Sequence, residues 1–233
     1  MSDVTSSAEV ILRAVPPPAV PLGNAFCVLE PLSPAHSPAL WRAFRGHDGL
    51  WDYMFTGPFA DEAEFSAWVE SRCGLQDPLF YAIRAPEGEW SGLASFMRID
   101  LAHGVIEVGS LTFSPALQGT AAATGAMFAM MEQAFALGFR RYEWKCHSQN
   151  LPSRRAAARL GFSYEGLFRQ HMVVKGRNRD TAWYAVTDGD WPALKEAFEL
   201  WSDPANFDAE GRQKRRLSDL TAPLLHARDP DLR

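Results

Sequence analysis

Cysteine is scarce in this sequence of 233 residues, which contains only Cys27, Cys73 and Cys146. Their number is odd, they lie far apart, and none falls in a Cys-x-x-Cys or other metal-ligand spacing. We therefore expect neither a disulfide framework nor a bound metal ion. This cysteine usage is typical of a reducing compartment and predicts a cytoplasmic protein.

Excess positive charge and long apolar runs are also missing. The chain has 23 Lys and Arg against 28 Asp and Glu, for a formal net charge of -5. General nucleic-acid binders accumulate cations, so we expect no nucleic-acid partner. No apolar run approaches the roughly 18–20 residues of a membrane helix, and the first residues lack a basic segment followed by an apolar core. We therefore expect no membrane partner.

The composition is that of an ordinary globular domain, with 47% hydrophobic and 22% charged residues. Repeated Pro and Ser predict an extended arm over residues 1–23. Strand and helix patterns over residues 24–187 predict one domain, and residues 188–233 predict a helix followed by a flexible tail.

Within the domain, the order of strand and helix patterns indicates a mixed α/β fold. A strand and two helices come first, and three strands with short turns then predict an antiparallel meander. The last of these strands includes residues 106–113 and precedes an apolar helix at about residues 122–137. A further strand, a short helix ending at Gly161 and a hairpin that turns at residues 176–178 follow.

The stretch from Leu111 to Phe162 carries most of the functional information. A strand that ends in a loop of small residues and then opens a helix brings several free backbone N–H groups to the positive end of the helix dipole. Such a place attracts phosphate. The alternative is an ordinary loop and helix start, where small residues are also common.

In motif order and spacing, residues 28–186 resemble the GNAT superfamily of acetyl-CoA-dependent N-acyltransferases, and within it the RimJ/RimL-like branch. The strand of residues 106–113, the loop after it, Asn150 and the Leu-Gly-Phe ending at Phe162 carry the resemblance. It implies an α/β (α+β) fold with a mixed, mostly antiparallel sheet of six or seven strands, flanked by helices. Two central parallel strands would splay apart around acetyl-CoA.

The resemblance also implies which residues bind the coenzyme. The family's phosphate loop, Gln/Arg-x-x-Gly-x-Gly/Ala, corresponds to Gln118, Gly119, Thr120, Ala121, Ala122 and Ala123, followed by Thr124 and preceded on the strand by Leu111 and Phe113. Ala121 replaces a glycine. Because backbone amides do the binding, a methyl group is tolerated there as long as φ stays negative.

Asn150 and Ser153 have two interpretations. Asn150 precedes a helix and can cap it by accepting a hydrogen bond from the N–H of Ser153. The resemblance implies that Asn150 contacts the pantetheine arm and that Ser153 lies near the coenzyme or the thioester sulfur. The tyrosine that many members use as a general acid is replaced by Ala157. A proton for the departing thiolate would then come from Ser153 or from water.

Direct transfer to an amine requires a donor for the thioester carbonyl and an acceptor for one proton. We expect the donor to be a main-chain N–H that a bulge at Gly109 or Ser110 sets free. Glu107 is the favoured base, because a carboxylate within an apolar strand is partly buried and suited to accept a proton. A solvated, outward-facing Glu107 is the alternative, and Glu165, His171 or a water relay are further candidates.

Two further groups of side chains could contact ligands. The aromatic loop between the first two helices could line the acceptor site or pack in the core, and it contains Trp51, Tyr53, Met54 and Phe55. Arg154 and Arg155 could reach the coenzyme phosphates or lie on a solvated helix face.

These features predict an enzyme, an acetyl-CoA:amine N-acetyltransferase whose acceptor is a peptide or protein N-terminus or a small-molecule amine. The alternative is a catalytically idle acyl-CoA-binding or partner-binding module, which Ala121 and Ala157 favour. The negative net charge is consistent with an acidic rim that receives a basic protein tail. A homodimer is compatible with the aromatic content.

Overall fold

The computed structural model describes residues 12–232 of the chain. The strands of these residues, β1–β8 in chain order, are Leu22–Asn24, Cys27–Pro31, Leu79–Arg84, Gly92–Asp100, Val105–Phe113, Arg141–His147, Ser163–Val174 and Arg177–Thr187. The α-helices, α1–α6, are Ser37–Phe44, Glu62–Arg72, Ala121–Ala136, Leu151–Arg159, Trp191–Ser202 and Leu217–Thr221. In this part of the chain no helix is long and apolar enough to cross a membrane.

All eight strands form one sheet in the order β1-β2-β3-β4-β5-β6-β8-β7. Neighbouring strands are antiparallel except β5 and β6, which pair in parallel. The mixed α/β fold with a central parallel pair is therefore confirmed. The sheet has eight strands instead of six or seven, because the short strand β1, which lies mostly within the predicted arm, adds to the edge at β2.

Two apolar clusters cover the two faces of the sheet. On β3, Tyr81 and Ile83 face the cluster formed with α3 and α5, whereas Phe80 and Ala82 face the cluster formed with α1 and α2. Because both faces of β3 are buried, its sequence is apolar without the alternation of a half-exposed strand.

The helix α3 is the most buried helix of the fold and lies close to the predicted bounds. Eleven of its sixteen residues are buried. Phe128 on α3 stacks against Phe198 on α5 with ring centroids 4.7 Å apart. This packing holds α3 against α5.

The described part of the predicted arm, residues 12–23, runs along the domain. The N–H of Val15 donates to the carbonyl of Leu137 at 3.0 Å, and the hydroxyl of Tyr81 donates to the carbonyl of Pro18 at 3.3 Å. Residues 1–11, the rest of that predicted arm, lie outside the described residues.

The structure differs from expectation at the last hairpin and at the tail. The hairpin turns at Lys175 and Gly176, whose φ values of 49° and 74° suit a tight two-residue turn. The predicted turn was slightly later, at residues 176–178. The segment predicted as a flexible tail packs on the domain, because Leu217 is buried against the core and Asp229 forms a buried ion pair.

Candidate active site

The parallel strands β5 and β6 separate at a bulge. They pair only over Val105–Val108 and Arg141–Trp144. Beyond that point, the register of β5 with β4 shifts between Gly109 and Thr112, and Ser110 has a φ of 53°. The predicted distortion at Gly109 or Ser110 is therefore confirmed. Such a bulge frees main-chain groups that regular pairing would consume, here at the place where β5 and β6 separate.

The first turn of α3, the element that follows β5 in the chain, offers free backbone donors. Thr120 caps the helix, and its Oγ1 accepts from the N–H of Ala123 at 3.1 Å. The N–H groups of Gly119, Ala121 and Ala122 have no hydrogen-bond partner among residues 12–232. Ala121 lies within the helix, so its φ is negative, as backbone binding at this position requires. Three free donors at a helix N-terminus are an arrangement suited to an anion.

Neighbouring side chains hold this loop in place. Gln118 Nε2 donates to the carbonyl of Phe113 at 2.8 Å, which ties the loop to the end of β5. The hydroxyl of Thr124 donates to the carbonyl four residues earlier at 3.2 Å. Leu111, just after the bulge, lines a cavity between the splayed strands.

Arg159 is a residue at this site that sequence reasoning missed. Its Nη2 donates to Thr124 Oγ1 at 3.0 Å. Burial lowers the pKa of Arg159, whose guanidinium has no carboxylate partner in the described part of the chain. An arginine in the last turn of a short helix is common as a favourable helix-end charge, so its position in the sequence gave little signal. Through Thr124 it brings a positive charge to the first turn of α3.

Asn150 and Ser153 combine the capping role with a place at the cavity. The N–H of Ser153 donates to Asn150 Oδ1 at 3.1 Å, which confirms the cap. Ser153 Oγ accepts from Trp144 Nε1 at 3.0 Å. Both side chains line the cavity. Ala157 is fully buried in the core, and its methyl group offers no hydroxyl to the site.

The cavity has a volume of about 90 Å³ and contains Glu107. The side chain of Glu107 is only 3% exposed, which excludes the outward-facing alternative. Arg98 Nη1 donates to both carboxylate oxygens, at 2.9 and 2.7 Å, and Lys145 Nζ lies 2.9 Å from Oε2. A carboxylate has about four acceptor positions, so one remains on Oε1. That oxygen faces the bulge, since a Cβ on Gly109 would lie 3.4 Å from it.

A second bulge, on β4, brings Arg98 to Glu107. The register of β4 with β5 shifts between Met97 and Asp100, and Arg98 has a φ of 49°. The carboxylate of Asp77 accepts from the N–H of Arg98 at 2.8 Å and from the N–H that follows at 3.0 Å. Asp77 therefore holds Arg98 in a conformation that non-glycine residues rarely adopt.

The other candidate bases lie elsewhere. Glu165 accepts from Arg141 Nη1 at 2.7 Å, and Arg141 Nε donates to Glu143 at 2.6 Å. His171 Nδ1 lies 3.0 Å from Thr181 Oγ1. Neither Glu165 nor His171 lines the cavity that contains Glu107.

The residues of the aromatic loop divide between packing in the core and lining the cavity. Trp51 is buried and packs edge-on against Phe44 at 5.8 Å. The side chains of Tyr53, Met54 and Phe55 line the cavity opposite the strands. Trp51 therefore anchors the loop in the core, and the three aromatic-loop residues from Tyr53 to Phe55 form a wall of the site.

His147 and Arg179 also line the cavity and were missed by sequence reasoning. The ring of His147 lies 5.1 Å from that of Tyr53, and its Nδ1 accepts from the N–H of Gln149 at 3.1 Å. Burial and the nearby charge of Arg179 lower the pKa of His147, so its ring is neutral at neutral pH. Neither residue belongs to a recognisable motif, because the sheet brings them to the site from different strands.

Two expectations about charge are wrong. Arg154 is buried and donates to Asp229 at 2.5 and 2.8 Å, so it does not face the phosphate loop. The outer depression next to the cavity, about 550 Å³ in volume, is lined by Lys175, Arg177 and Arg179 with Asp52. This rim is basic and not acidic, because the net charge of a chain does not determine the charge at one site.

Arg155, the other arginine considered for the coenzyme phosphates, is exposed on α4. Across residues 12–232, no group of three or more His, Cys, Asp and Glu side chains is arranged to hold a metal ion.

Comparison with known proteins shows which family shares this arrangement. The family model described as "Acetyltransferase (GNAT) domain" matches residues 27–163. A GCN5-related N-acetyltransferase from Brucella melitensis is 44% identical and superposes with a TM-score of 0.87, covering 91% of this chain and 98% of its own. A probable acetyltransferase of the GNAT family from Chromobacterium violaceum is 38% identical, with a TM-score of 0.76 and coverage of 83% and 100%.

An acetyl transferase from Salmonella typhimurium, which modifies the N-terminal serine of the 50S ribosomal subunit protein L7/L12, shares the fold. It is 22% identical, with a TM-score of 0.62 and coverage of 70% of this chain and 96% of its own. Comparison with curated proteins gives no significant match.

Proposed function

This chain belongs to the GNAT family of acetyltransferases, and from that premise we propose that it transfers an acetyl group from acetyl-CoA to a primary amine by direct attack. One observation carries the proposal. Three free N–H groups stand at the start of α3, after a loop that Gln118 ties to the end of β5, beyond the pairing of that strand with β6, and such an arrangement suits the diphosphate of a nucleotide coenzyme.

In this proposal the loop and the two strands share the binding of acetyl-CoA. The residues that hold the diphosphate are Gln118, Gly119, Thr120, Ala121, Ala122, Ala123 and Thr124, with Arg159 adding its charge. The residues that contact the acylated pantetheine arm are Leu111, Phe113, Asn150 and Ser153, three of which line the cavity. Bound acetyl-CoA supplies a thioester, and the main chain at the bulge provides the donor for its carbonyl.

Proton transfer in the proposal uses the two polar groups of the cavity. Glu107 accepts a proton from the amine through the acceptor position left on Oε1, directly or through one water. Ser153 is the proposed proton donor to the departing sulfur, because its hydroxyl lines the same cavity and the buried Ala157 cannot serve. The hydroxyl keeps its own proton available, since Ser153 Oγ acts as the acceptor towards Trp144.

We assign the enzyme to the RimJ/RimL-like branch as part of the proposal. The Salmonella relative acts on a protein N-terminus, so a peptide N-terminus is a candidate acceptor beside a small-molecule amine. The basic rim of Lys175, Arg177 and Arg179 disfavours a cationic peptide.

The decisive experiment separates an enzyme from an idle coenzyme-binding module. Calorimetry measures binding of acetyl-CoA, and a thiol reagent measures release of CoA with and without a panel of amines. Amine-dependent release well above the hydrolytic background is the expected result. Binding without any amine-dependent release would establish the idle module, and absence of binding would reject both functions.

A further inference from the structure

Arg179 lies between the cavity of Glu107 and the outer depression, and it lines both. Its side chain comes from β8 and is only 6% exposed. Its Nε is buried without a hydrogen-bond partner, and its guanidinium forms no ion pair with a carboxylate of residues 12–232. Burying an unpaired guanidinium costs folding free energy. This group is therefore suited to bind an anionic ligand that the chain itself does not supply.

The other charges of the site are paired with one another. Glu107 is shared by Arg98 and Lys145, Glu143 is shared by Lys145 and Arg141, and Arg141 also binds Glu165. Three cations therefore face three carboxylates, and Arg179 is the additional positive charge. Burial lowers the pKa of Arg179, as expected for a guanidinium without a neutralising partner.

The surroundings of Arg179 orient it and leave a path to solvent. Its guanidinium lies over the ring of Phe55 at 4.9 Å, a contact that restrains the group without neutralising it. Tyr53 and His147 line both the inner cavity and the outer depression, so the two spaces meet beside Arg179. Lys175 is used elsewhere, since its Nζ donates to the carbonyl of Trp51 at 2.8 Å. Arg179 therefore lies where the two spaces meet, whereas Glu107 lines the inner cavity and not the outer depression.

We propose that the acceptor is a small-molecule amine that carries an anionic group, either a carboxylate or a phosphate, and that Arg179 binds that group. The inference rests on the proposed function and specifies its substrate class. The small volume beside Glu107, about 90 Å³, suits an amine that lies only a few bonds from the anionic group. A planar guanidinium binds either anion through paired hydrogen bonds.

The reaction on such an acceptor conserves atoms and charge. The amine nitrogen forms a bond to the acetyl carbon as the bond from that carbon to sulfur breaks. The amine proton passes to Glu107 or to water, and the sulfur takes up a proton to leave as the free thiol of CoA. Arg179 takes no part in these bonds, so it is a binding residue for the acceptor and not a proton carrier.

Matched pairs of amines test the preference directly. The first pair is β-alanine and β-alaninamide, the second is O-phosphoethanolamine and ethanolamine, and a lysine-rich peptide represents the cationic acceptors. We expect kcat/KM of at least one anionic member to exceed that of its neutral counterpart by about tenfold or more. Whichever pair shows the preference identifies the anionic group of the acceptor as a carboxylate or as a phosphate. Equal or faster turnover of both neutral amines, or of the peptide, would overturn the proposal.

Substitutions assign the preference to Arg179. Arg179→Gln should raise KM for the anionic amine by on the order of 10- to 100-fold, with kcat and the affinity for CoA little changed. Turnover of the neutral amine, which has no group for Arg179 to bind, should fall far less than that of the anionic amine. Arg179→Lys should restore part of the preference, and Arg169→Gln, which removes an exposed arginine from β7, should have no effect. A loss of the same size for the anionic and neutral amines in Arg179→Gln would contradict an anion-binding role.

A binding measurement distinguishes failure of this inference from failure of the proposed function. In the presence of CoA, calorimetry of β-alanine and of O-phosphoethanolamine with the wild-type chain and with Arg179→Gln needs no turnover. Binding that the substitution abolishes would support the anion site even if no amine is acetylated. Absence of binding of both compounds to the wild-type chain would reject the anion site, whatever the thiol assay shows.

Discussion

Glu107 is the residue at which structure and chemistry are most closely linked. It lies beside Glu143, and both are buried carboxylates that pair with Lys145. Only Glu107 lines the cavity. Because Glu107→Gln removes the proton acceptor, we expect kcat to fall by on the order of 100-fold while the affinity for acetyl-CoA is unchanged. Steady-state kinetics between about pH 6 and 9, together with calorimetry, measure the two quantities.

Glu143→Gln is the matched control, since it removes a carboxylate from the same ion network without changing the cavity. Its kcat should stay close to that of the wild-type chain, although both variants should lose stability. If the two substitutions lower kcat to the same extent, the network has a structural role and Glu107 is not the base.

Cys146 gives a second test of the mechanism at the scale of one residue. It lines the cavity, and burial raises the pKa of its thiol to about 11. Roughly one thiol in a thousand is then ionised at pH 8, which makes an acetylated cysteine intermediate unfavourable. We expect Cys146→Ala to retain turnover within about threefold and initial-rate plots to intersect, as in direct transfer.

Cys27 provides the comparison, because burial raises the pKa of its thiol to about 11 as well and it lies outside the cavity. Turnover that disappears in Cys146→Ala but persists in Cys27→Ala would indicate a covalent step and refute direct attack.

Sequence reasoning singled out those residues of the proposed site that belong to local patterns. Asn150 and Ser153 form a cap three residues apart, and Glu107 stands out as a carboxylate in an apolar strand. Arg98 and Arg179 could not be found in this way. Arg98 contacts Glu107 because of a bulge that Asp77, 21 residues earlier in the chain, stabilises. Arg179 lines the same cavity as Glu107 because of the order of the strands in the sheet. No local spacing in the sequence encodes either position.

At the scale of elements, the first turn of α3 carries the proposed function, and Ala121→Asp tests it. A negative charge at the first helical position favours the helix by about 0.3–1 kcal/mol, so the fold should be retained. The same charge opposes a diphosphate, and like charges in contact cost several kcal/mol. We expect the affinity for acetyl-CoA to fall by at least about 100-fold in calorimetry.

Ala136→Asp places the same charge at the other end of α3, where the side chain is exposed. It should cost some stability through the helix dipole but leave coenzyme affinity unchanged. Unchanged affinity in Ala121→Asp, with the fold intact, would mean that these amides do not bind the coenzyme.

Most elements could be predicted from the sequence because their residues repeat at the period of a strand or a helix. The meander of β3, β4 and β5 and the bounds of α3 follow from such patterns. Strand β1 was not predicted, since three residues next to a proline-rich stretch are too few for a pattern. The bulge at Arg98 was also missed, because the residues across it, Met97 to Asp100, alternate between apolar and polar as in a regular strand.

At the scale of the whole molecule, a buried polar cluster joins the C-terminal segment to the domain. Arg154 on α4 binds Asp229 and Asp231, and Tyr184 on β8 also contacts Asp229. Arg154 and Asp229 are 75 positions apart in the chain, so no local pattern reveals that they pair. The Arg and Lys residues of the tail predicted flexibility instead. The cluster holds the segment after α6 against α4, the helix that carries Ser153 and Arg159.

Asp229→Asn tests this connection through stability. Removing the charge leaves Arg154 buried and only partly compensated, and breaking a buried pair in this way costs about 3 kcal/mol or more. We expect thermal and urea unfolding to show that loss at neutral pH. Asp231→Asn is the control, because its side chain is 64% exposed and its pairing with Arg154 is worth about 1 kcal/mol at most.

The pH dependence of unfolding supplies the second measurement. Burial alone would raise the pKa of Asp229, but hydrogen bonds from Arg154 and Tyr184 outweigh it and lower the pKa below its usual value. A carboxylate of this kind stabilises the fold fully above its unfolded pKa of about 3.9, and the stabilisation is lost as pH falls through the lower folded value. The stability difference between wild type and Asp229→Asn should therefore be constant above about pH 5 and shrink below about pH 4. A difference that stays constant down to pH values of about 2 would show that the ionised form of Asp229 is not what holds the C-terminal segment in place.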